Sequence, residues 1–92
     1  MKYDSTSESY YNLAKQQIIE NNPKKALLFI QIHLKLYPSD ANAYLLKGNI
    51  YSLLKQYDNS IIQYDKCNKI NPSVSECYNS LAYSYSKLNK WF

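Results

Sequence analysis

Arginine is absent from this sequence, and glycine occurs once, as Gly48. A single glycine excludes a phosphate-cradling loop, which needs several glycines, and argues against a β-sandwich, which needs many turns. Because guanidinium groups make most bidentate contacts to bases and phosphates, the lack of arginine argues against a nucleic-acid partner. Lysine gives the chain a formal net charge of +4. Its lysines are scattered, which indicates solvated helix faces and not a binding patch.

Cysteine and histidine are also scarce. Cys67 and Cys77 form no Cys-x-x-Cys motif, and His33, the single histidine, is distant in sequence. Two cysteines cannot complete a tetrahedral zinc site by themselves, so we expect no metal and no cofactor. Cys67 lies on an apolar stripe, which predicts a free thiol packed as a small hydrophobe, with a disulfide as the alternative.

No arrangement of side chains in the sequence is typical of catalysis. His33 has no serine or cysteine placed for a triad and no carboxylate close to it in sequence, so we expect a packed histidine. Asp58 and Asp65 are too far apart to promise paired acid–base chemistry. We therefore predict no catalytic residue and no enzyme.

Long apolar runs are missing as well. No segment approaches the roughly 18 apolar residues that span a membrane. Residues 1–15 lack the apolar segment of a signal peptide. These two observations predict an intracellular protein, cytoplasmic or nuclear, without a membrane partner.

A pattern that recurs about every 34 residues organises the chain, and a fixed period of this length is typical of a helical solenoid. The pattern is clearest from Asp40 to Pro72, where Tyr44, Gly48 and Tyr51 share one helical stripe. One period earlier, Ala14 occupies the place of Gly48, and one period later Ala82 occupies it. Small residues therefore recur at the same point of each unit.

The polar and proline residues between the stripes divide the chain into helices. Pro23 suits the first position of a helix, and Asn22 and Asp40 suit the capping position before one. Pro38 and Pro72 end helices, because the residue before a proline avoids helical geometry. We predict five helices, over about residues 7–21, 23–37, 41–55, 58–70 and 74–88.

Small residues on these stripes predict where two helices approach closely, and aromatic residues fill the space beside them. Because glycine costs about 1 kcal/mol in a helix relative to alanine, Gly48 indicates a close-approach point. The predicted packing residues are Tyr10, Ala14, Ala26, Tyr44, Gly48, Tyr51, Ser60, Tyr64, Cys67, Tyr78, Ala82 and Tyr85.

These residues resemble the tetratricopeptide repeat family, whose units are helix–turn–helix hairpins of about 34 residues. The unit from Asp40 to Pro72 has the family's aromatic, glycine, tyrosine and closing proline positions, and it departs from the pattern at Lys47. The unit before it departs at Gln17 and His33, and the unit after it stops soon after Trp91. The resemblance covers nearly the whole chain as a single domain, 1–92, with repeats at about 7–40, 41–74 and 75–92, the last truncated.

The resemblance implies an all-α fold of antiparallel helix pairs stacked as a right-handed α-solenoid. The first helix of each pair would line a concave groove that binds a peptide or a partner helix. The implied function is a protein–protein interaction scaffold, part of a larger protein. The alternative is a targeting or structural segment of a larger enzyme such as a glycosyltransferase or peptidyl-prolyl isomerase. The implied groove residues are Tyr11, Lys15, Asn42, Leu45, Asn49, Ser52, Asn79 and Tyr83.

Two subtypes of the family can be compared with this sequence. Chaperone-binding members clamp a C-terminal carboxylate between lysine, asparagine and arginine, and only Lys15 offers a positive charge among the matching positions, so we predict no clamp. The asparagine ladder of protein-glycosylating transferases keeps only Asn12 of three positions. The fifth helix shows an apolar face with no following helix, which predicts a longer array, self-association or docking on another protein.

Overall fold

The computed structural model describes residues 5–88, with side chains from Tyr10 onward. Within that range, no helix is both long and apolar enough to cross a membrane. Trp91, which completes the third family match, lies outside the described residues. Five helices follow one another and form an elongated body of 49 × 28 × 17 Å. They are α1 (Ser5–Ile19), α2 (Pro23–Leu36), α3 (Ala41–Leu53), α4 (Tyr57–Ile70) and α5 (Ser75–Leu88).

The first helix of each complete pair ends two residues before the predicted boundary, in a left-handed turn. Asn21 and Lys55, which occupy equivalent positions in successive repeats, have φ of 66° and 63°. The Lys55 N–H donates to the Ser52 carbonyl at 3.0 Å, and the Gln56 N–H donates to the Tyr51 carbonyl at 2.9 Å. This pair of bonds is a Schellman motif, which closes the helix and redirects the chain. The next helix therefore starts at once and runs antiparallel.

Asp40 precedes α3 as predicted, but its side chain makes no capping bond. Its carboxylate instead lies 2.8 Å from Nε2 of His33, whose side chain is only 6% exposed. No carboxylate is adjacent to His33 in sequence, and the fold supplies one in space. The turn through Pro38 brings the start of α3 back against the end of α2, so a neighbour seven residues away becomes a contact.

Small residues mark the crossing points within each helix pair. Ala14 and Ala26 are fully buried where α1 meets α2. In the second pair, a Cβ built on Gly48 would lie 2.6 Å from Cδ1 of Tyr64 and would also overlap Cε1 of that ring. The Ser60 hydroxyl donates to the Gly48 carbonyl at 2.9 Å. Glycine is therefore required at position 48 by the tyrosine ring of α4.

A second buried stripe packs each helix pair on the pair before it. Ala43 and Ile50 of α3 are fully buried against α1 and α2. Their counterparts one repeat later, Cys77 and Ser84, are fully buried on α5. The predicted packing stripes lie within each pair and do not include these four residues. Their matching offset was the signal that could have revealed them.

The packing predicted for Tyr78, Ala82 and Tyr85 is not found among the described residues. Tyr78 is 65% exposed, Tyr85 is 38% exposed, and Ala82 is also exposed. The stripe they form corresponds to the one that α4 covers on α3. No described helix follows α5, so nothing within residues 5–88 covers these three side chains.

Cys67 and Cys77 form a disulfide that joins α4 to α5, with their Cα atoms 6.2 Å apart. The predicted free thiol at Cys67 was therefore wrong, although the residue is fully buried as expected. The two cysteines are on different stripes, one facing within its pair and one facing the preceding pair. The chain brings them together because α5 folds back onto α4.

Lys47, at the position where the family usually has leucine, is half-buried on α3. Burial, together with the nearby charge of Lys66, lowers its pKa. The Lys47 amine therefore holds its proton less tightly in the folded chain than in the unfolded chain. The charged amine lowers the free energy of unfolding at neutral pH, and this destabilisation disappears as pH rises towards about 10.4.

We expect Lys47→Met to raise the free energy of unfolding by about 0.5–1 kcal/mol at pH 7, with a smaller gain at pH 10. Urea titrations of both proteins at the two pH values measure this difference. Lys24→Met, at an exposed lysine, is the matched control and should change little. A gain at Lys47 that grows with pH would contradict the assigned cause.

Candidate binding groove

The helices α1 and α3 run side by side and leave an apolar cavity of about 380 Å³ between them. The aliphatic side chains at the C-terminal ends of the two helices are open to solvent: Ile19 is 76% exposed and Leu53 is 53% exposed. The residues that line the cavity are Lys15, Ile18, Ile19, Leu46, Asn49 and Leu53. We call this cavity the apolar pocket. Solvent-exposed aliphatic groups clustered in a concave site are typical of a binding surface.

Ile19, Leu46 and Leu53 are not among the groove residues predicted from the sequence. Ile19 and Leu53 are one repeat apart, as are Lys15 and Asn49. Equivalent positions on two neighbouring first helices therefore meet across the groove. The sequence does contain an apolar residue at this position in two successive repeats, outside both packing stripes, and this repetition could have indicated the pocket.

The other end of the same groove is polar. A cavity of about 360 Å³ is lined by Tyr11, Asn12, His33, Asp40 and Asn42. Burial raises the pKa of the Tyr11 hydroxyl, and the negative charges of Asp40 and Glu76 raise it further. The ammonium group of Lys15 lies 5.6 Å from the centre of the Tyr11 ring. Tyr11 therefore stays neutral at physiological pH and can donate a hydrogen bond.

A cluster of hydroxyl and amide groups surrounds the end of the Tyr64 side chain. The Tyr64 hydroxyl donates to Oδ1 of Asn49 at 2.6 Å and lies 3.3 Å from the Ser52 hydroxyl. Burial raises the pKa of Tyr64, and its hydrogen bonds to Ser52 and Ser80 act in the opposite direction. This cluster links α3, α4 and α5. It also fixes the carboxamide of Asn49 at the edge of the apolar pocket.

The structure places the predicted groove residues in three different settings. Four of them line the two cavities: Tyr11, Lys15, Asn42 and Asn49. Leu45 instead packs against the buried cluster that contains both cysteines, and the Ser52 hydroxyl lies 3.0 Å from that of Ser60. Asn79 and Tyr83 are exposed on α5, and the Lys87 ammonium lies 5.4 Å from the Tyr83 ring centre.

Comparison with known proteins identifies the repeat. Residues 41–74 match the family model described as tetratricopeptide repeat. That span contains α3, α4 and the turn that follows, and its packing is repeated one period earlier by α1 and α2. Residues 41–74 are therefore a tetratricopeptide repeat. Repeats of this family are interaction scaffolds, and the all-α repeat fold expected from the sequence is confirmed.

Proteins similar to this chain include an enzyme and a protein of known structure. Over 65 residues it is 28% identical to a UDP-N-acetylglucosamine--peptide N-acetylglucosaminyltransferase of Giardia intestinalis (strain ATCC 50803 / WB clone C6). This match covers 71% of the chain and 4% of the transferase. Two crystal structures of MamA superpose with TM-scores of 0.88 and 0.89, at 25% and 26% identity. They cover 91% and 95% of this chain, which spans 46% and 52% of theirs.

Proposed function

We propose that the chain is a protein-interaction module that holds a peptide segment or partner helix in the groove between α1 and α3. The observation that supports this proposal is the apolar pocket, in which Ile19 and Leu53 are more than half exposed. Burying such side chains against a partner stabilises a complex by about 25 cal/mol for each Å² of apolar surface removed from water. An aliphatic or aromatic side chain of the partner would fill the pocket.

Asn49 offers hydrogen bonds beside this pocket. Its Oδ1 already accepts from the Tyr64 hydroxyl at 2.6 Å. Its Nδ2 has no hydrogen-bond partner among the residues that the structure describes. We propose that Nδ2 donates to a backbone carbonyl of the bound peptide, while Lys15 across the pocket favours a partner with a carboxylate near its apolar anchor.

We also propose that the groove does not bind as a chaperone carboxylate clamp. Of the positions that match the clamp, Leu46 lies in the apolar pocket, and Ser80 lies beside Tyr64, whose pKa it lowers. Glu76 would repel a C-terminal carboxylate, which leaves Lys15 as the single favourable charge. A low-micromolar dissociation constant for an acidic chaperone tail would contradict this proposal.

The apolar pocket can be tested with one substitution. Leu53→Asp places a charge where the partner's apolar side chain would sit, so we expect affinity to fall by about tenfold or more. A displayed peptide library is selected for binding to the full chain, and the selected peptides serve as probes. Fluorescence anisotropy measures their dissociation constants.

Ile62→Asp is the matched control, because Ile62 on α4 is 49% exposed and lies outside both cavities. Its affinity should match that of the parent. Selected peptides that bind Leu53→Asp as tightly as the parent would contradict the proposed site, and so would equal losses in both variants.

A second candidate function is a targeting or structural segment of a larger enzyme. The match to the Giardia transferase supports it, although that match spans only 4% of the transferase. Sequencing the transcript on both sides of the codons for these residues tests it. An open reading frame without any catalytic domain would contradict this candidate.

The remaining partner predictions need their own measurements. We propose no nucleic-acid and no membrane partner, and salt-sensitive binding to random DNA or anionic vesicles would contradict that. Self-association through the exposed stripe of Tyr78, Ala82 and Tyr85 stays a prediction. Sedimentation velocity at several concentrations tests it, and a monomer throughout would contradict it.

A further inference from the structure

The two junctions between successive helix pairs are held by different chemistry at equivalent positions. His33 at the end of α2 and Cys67 at the end of α4 are one repeat apart. His33 bonds to Asp40 at 2.8 Å and so ties α2 to the start of α3. Cys67 forms the disulfide with Cys77 and so ties α4 to α5. The second junction alone is therefore held by a covalent bond that can be broken by reduction.

The helix α5 packs along α4 but buries few of its own side chains. Its buried residues are Cys77 and Ser84, and the buried hydroxyl of Ser84 has no hydrogen-bond partner among the described residues. Its apolar stripe, with Tyr78 65% exposed, is uncovered. The cluster around the two cysteines contains one other buried residue, Ala41, with Tyr44, Leu45 and Val74 packed against it. The disulfide is therefore a covalent tie across an interface in which α5 buries few side chains.

We propose that Cys67–Cys77 is a reversible redox site that controls the docking of α5, with a dithiol as the co-reactant. A thiolate of the dithiol attacks one sulfur, the Cys67–Cys77 bond breaks, and a mixed disulfide forms. The second thiol of the dithiol then displaces the other cysteine. Two electrons and two protons pass to Cys67 and Cys77, and the dithiol becomes a cyclic disulfide.

Releasing α5 changes the surface beside the groove. Glu76 raises the pKa of Tyr11, and Ser80 lies beside Tyr64 and lowers its pKa. Asn79 and Tyr83 also leave with the helix. The reduced chain keeps α1 to α4 and both cavities of the α1/α3 groove. This inference does not depend on the proposed peptide binding, because it concerns only the docking of α5.

Hydrogen exchange of the full chain, followed by mass spectrometry with and without dithiothreitol, tests this site. For a ring closed over a sequence separation of 10, loop-closure entropy predicts that reduction favours opening by roughly a hundredfold. We expect amides of α5 to exchange faster by about that factor, and amides of α1 and α2 to change less than about threefold. An equal acceleration in all helices, or none in α5, would overturn the proposal.

The matched control is the double variant Cys67→Ala and Cys77→Ala. Alanine is smaller than cysteine and so fits both buried sites, and Ala43 is the counterpart of Cys77. Its α5 should exchange like that of the reduced parent and should not respond to dithiothreitol. Slow exchange in the variant would overturn the proposal. A glutathione redox buffer should restore slow exchange in the monomeric parent, and failure to restore it would overturn reversibility.

Discussion

Replacing Gly48 with leucine is expected to lower the free energy of unfolding by about 3 kcal/mol, at the upper end of the range for overpacking a core. A Cβ alone would lie 2.6 Å from Cδ1 of Tyr64, well inside van der Waals contact. The ring cannot move away easily, because its hydroxyl is bonded to Asn49 at 2.6 Å. Leucine at position 48 must therefore push α4 away from α3.

Urea denaturation followed by circular dichroism at 222 nm measures this change. Ser86→Leu is the control, because it adds the same side chain to an exposed helix position, and it should change stability by less than about 0.5 kcal/mol. Separation of α3 from α4 should also break the 2.9 Å bond from the Ser60 hydroxyl to the Gly48 carbonyl. Equal midpoints for the parent and Gly48→Leu would contradict the close packing described here.

Much of the fold could be predicted from the sequence because each repeat carries its own local signals. Pro23 begins α2 where proline is favoured, and Gly48 lies where two helices cross. The predicted ends of α1 and α3 were too late by two residues, at Asn21 and Lys55. Neither residue is glycine, so the left-handed turn that ends the helix had no clear marker in the sequence.

The contacts between helix pairs were harder to predict, because they depend on how the turns bring distant residues together. The disulfide is the clearest case, since Cys67 and Cys77 belong to different stripes and face each other only once α5 has folded back. The bond between His33 and Asp40 has the same origin, because the chain reverses at Pro38. Periodicity shows which face of a helix is buried and does not show which side chains meet there.

Only part of the candidate site could be predicted, because spacing shows which residues share a helix face and does not show which neighbours contact them. Tyr11, Lys15, Asn42 and Asn49 do line the groove between α1 and α3. Leu45 and Ser52 lie on the same face of α3 as Asn42 and Asn49 when the helix is viewed down its axis. Leu45 nevertheless packs on the cluster that contains both cysteines, and the Ser52 hydroxyl lies 3.0 Å from that of Ser60. Because Tyr64 has replaced the aliphatic residue that the first repeat has at Ile30, its longer side chain reaches Ser52. This difference between repeats could not be read from spacing.

The pairing of Gly48 with Tyr64 yields a second large effect, which a double-mutant cycle can isolate. In the first repeat, Ala14 and Ile30 occupy the positions of Gly48 and Tyr64, and both are fully buried. Tyr64→Ile alone is expected to lower the free energy of unfolding by about 2–3 kcal/mol, because it removes a buried ring and leaves a cavity beside Gly48. It also removes the hydroxyl that bonds to Asn49.

Adding Gly48→Ala to Tyr64→Ile recreates the pair found in the first repeat, and here alanine should be favourable. The methyl group fills the space that the ring has left, and alanine is about 1 kcal/mol better than glycine within a helix. In the parent, Gly48→Ala should instead destabilise, since its Cβ would overlap the Tyr64 ring. Urea titrations of the four proteins of the cycle should therefore show that the effect of Gly48→Ala changes sign with residue 64. The same sign in both backgrounds would mean that the glycine is required by something other than the ring, and the account of this crossing would then be wrong.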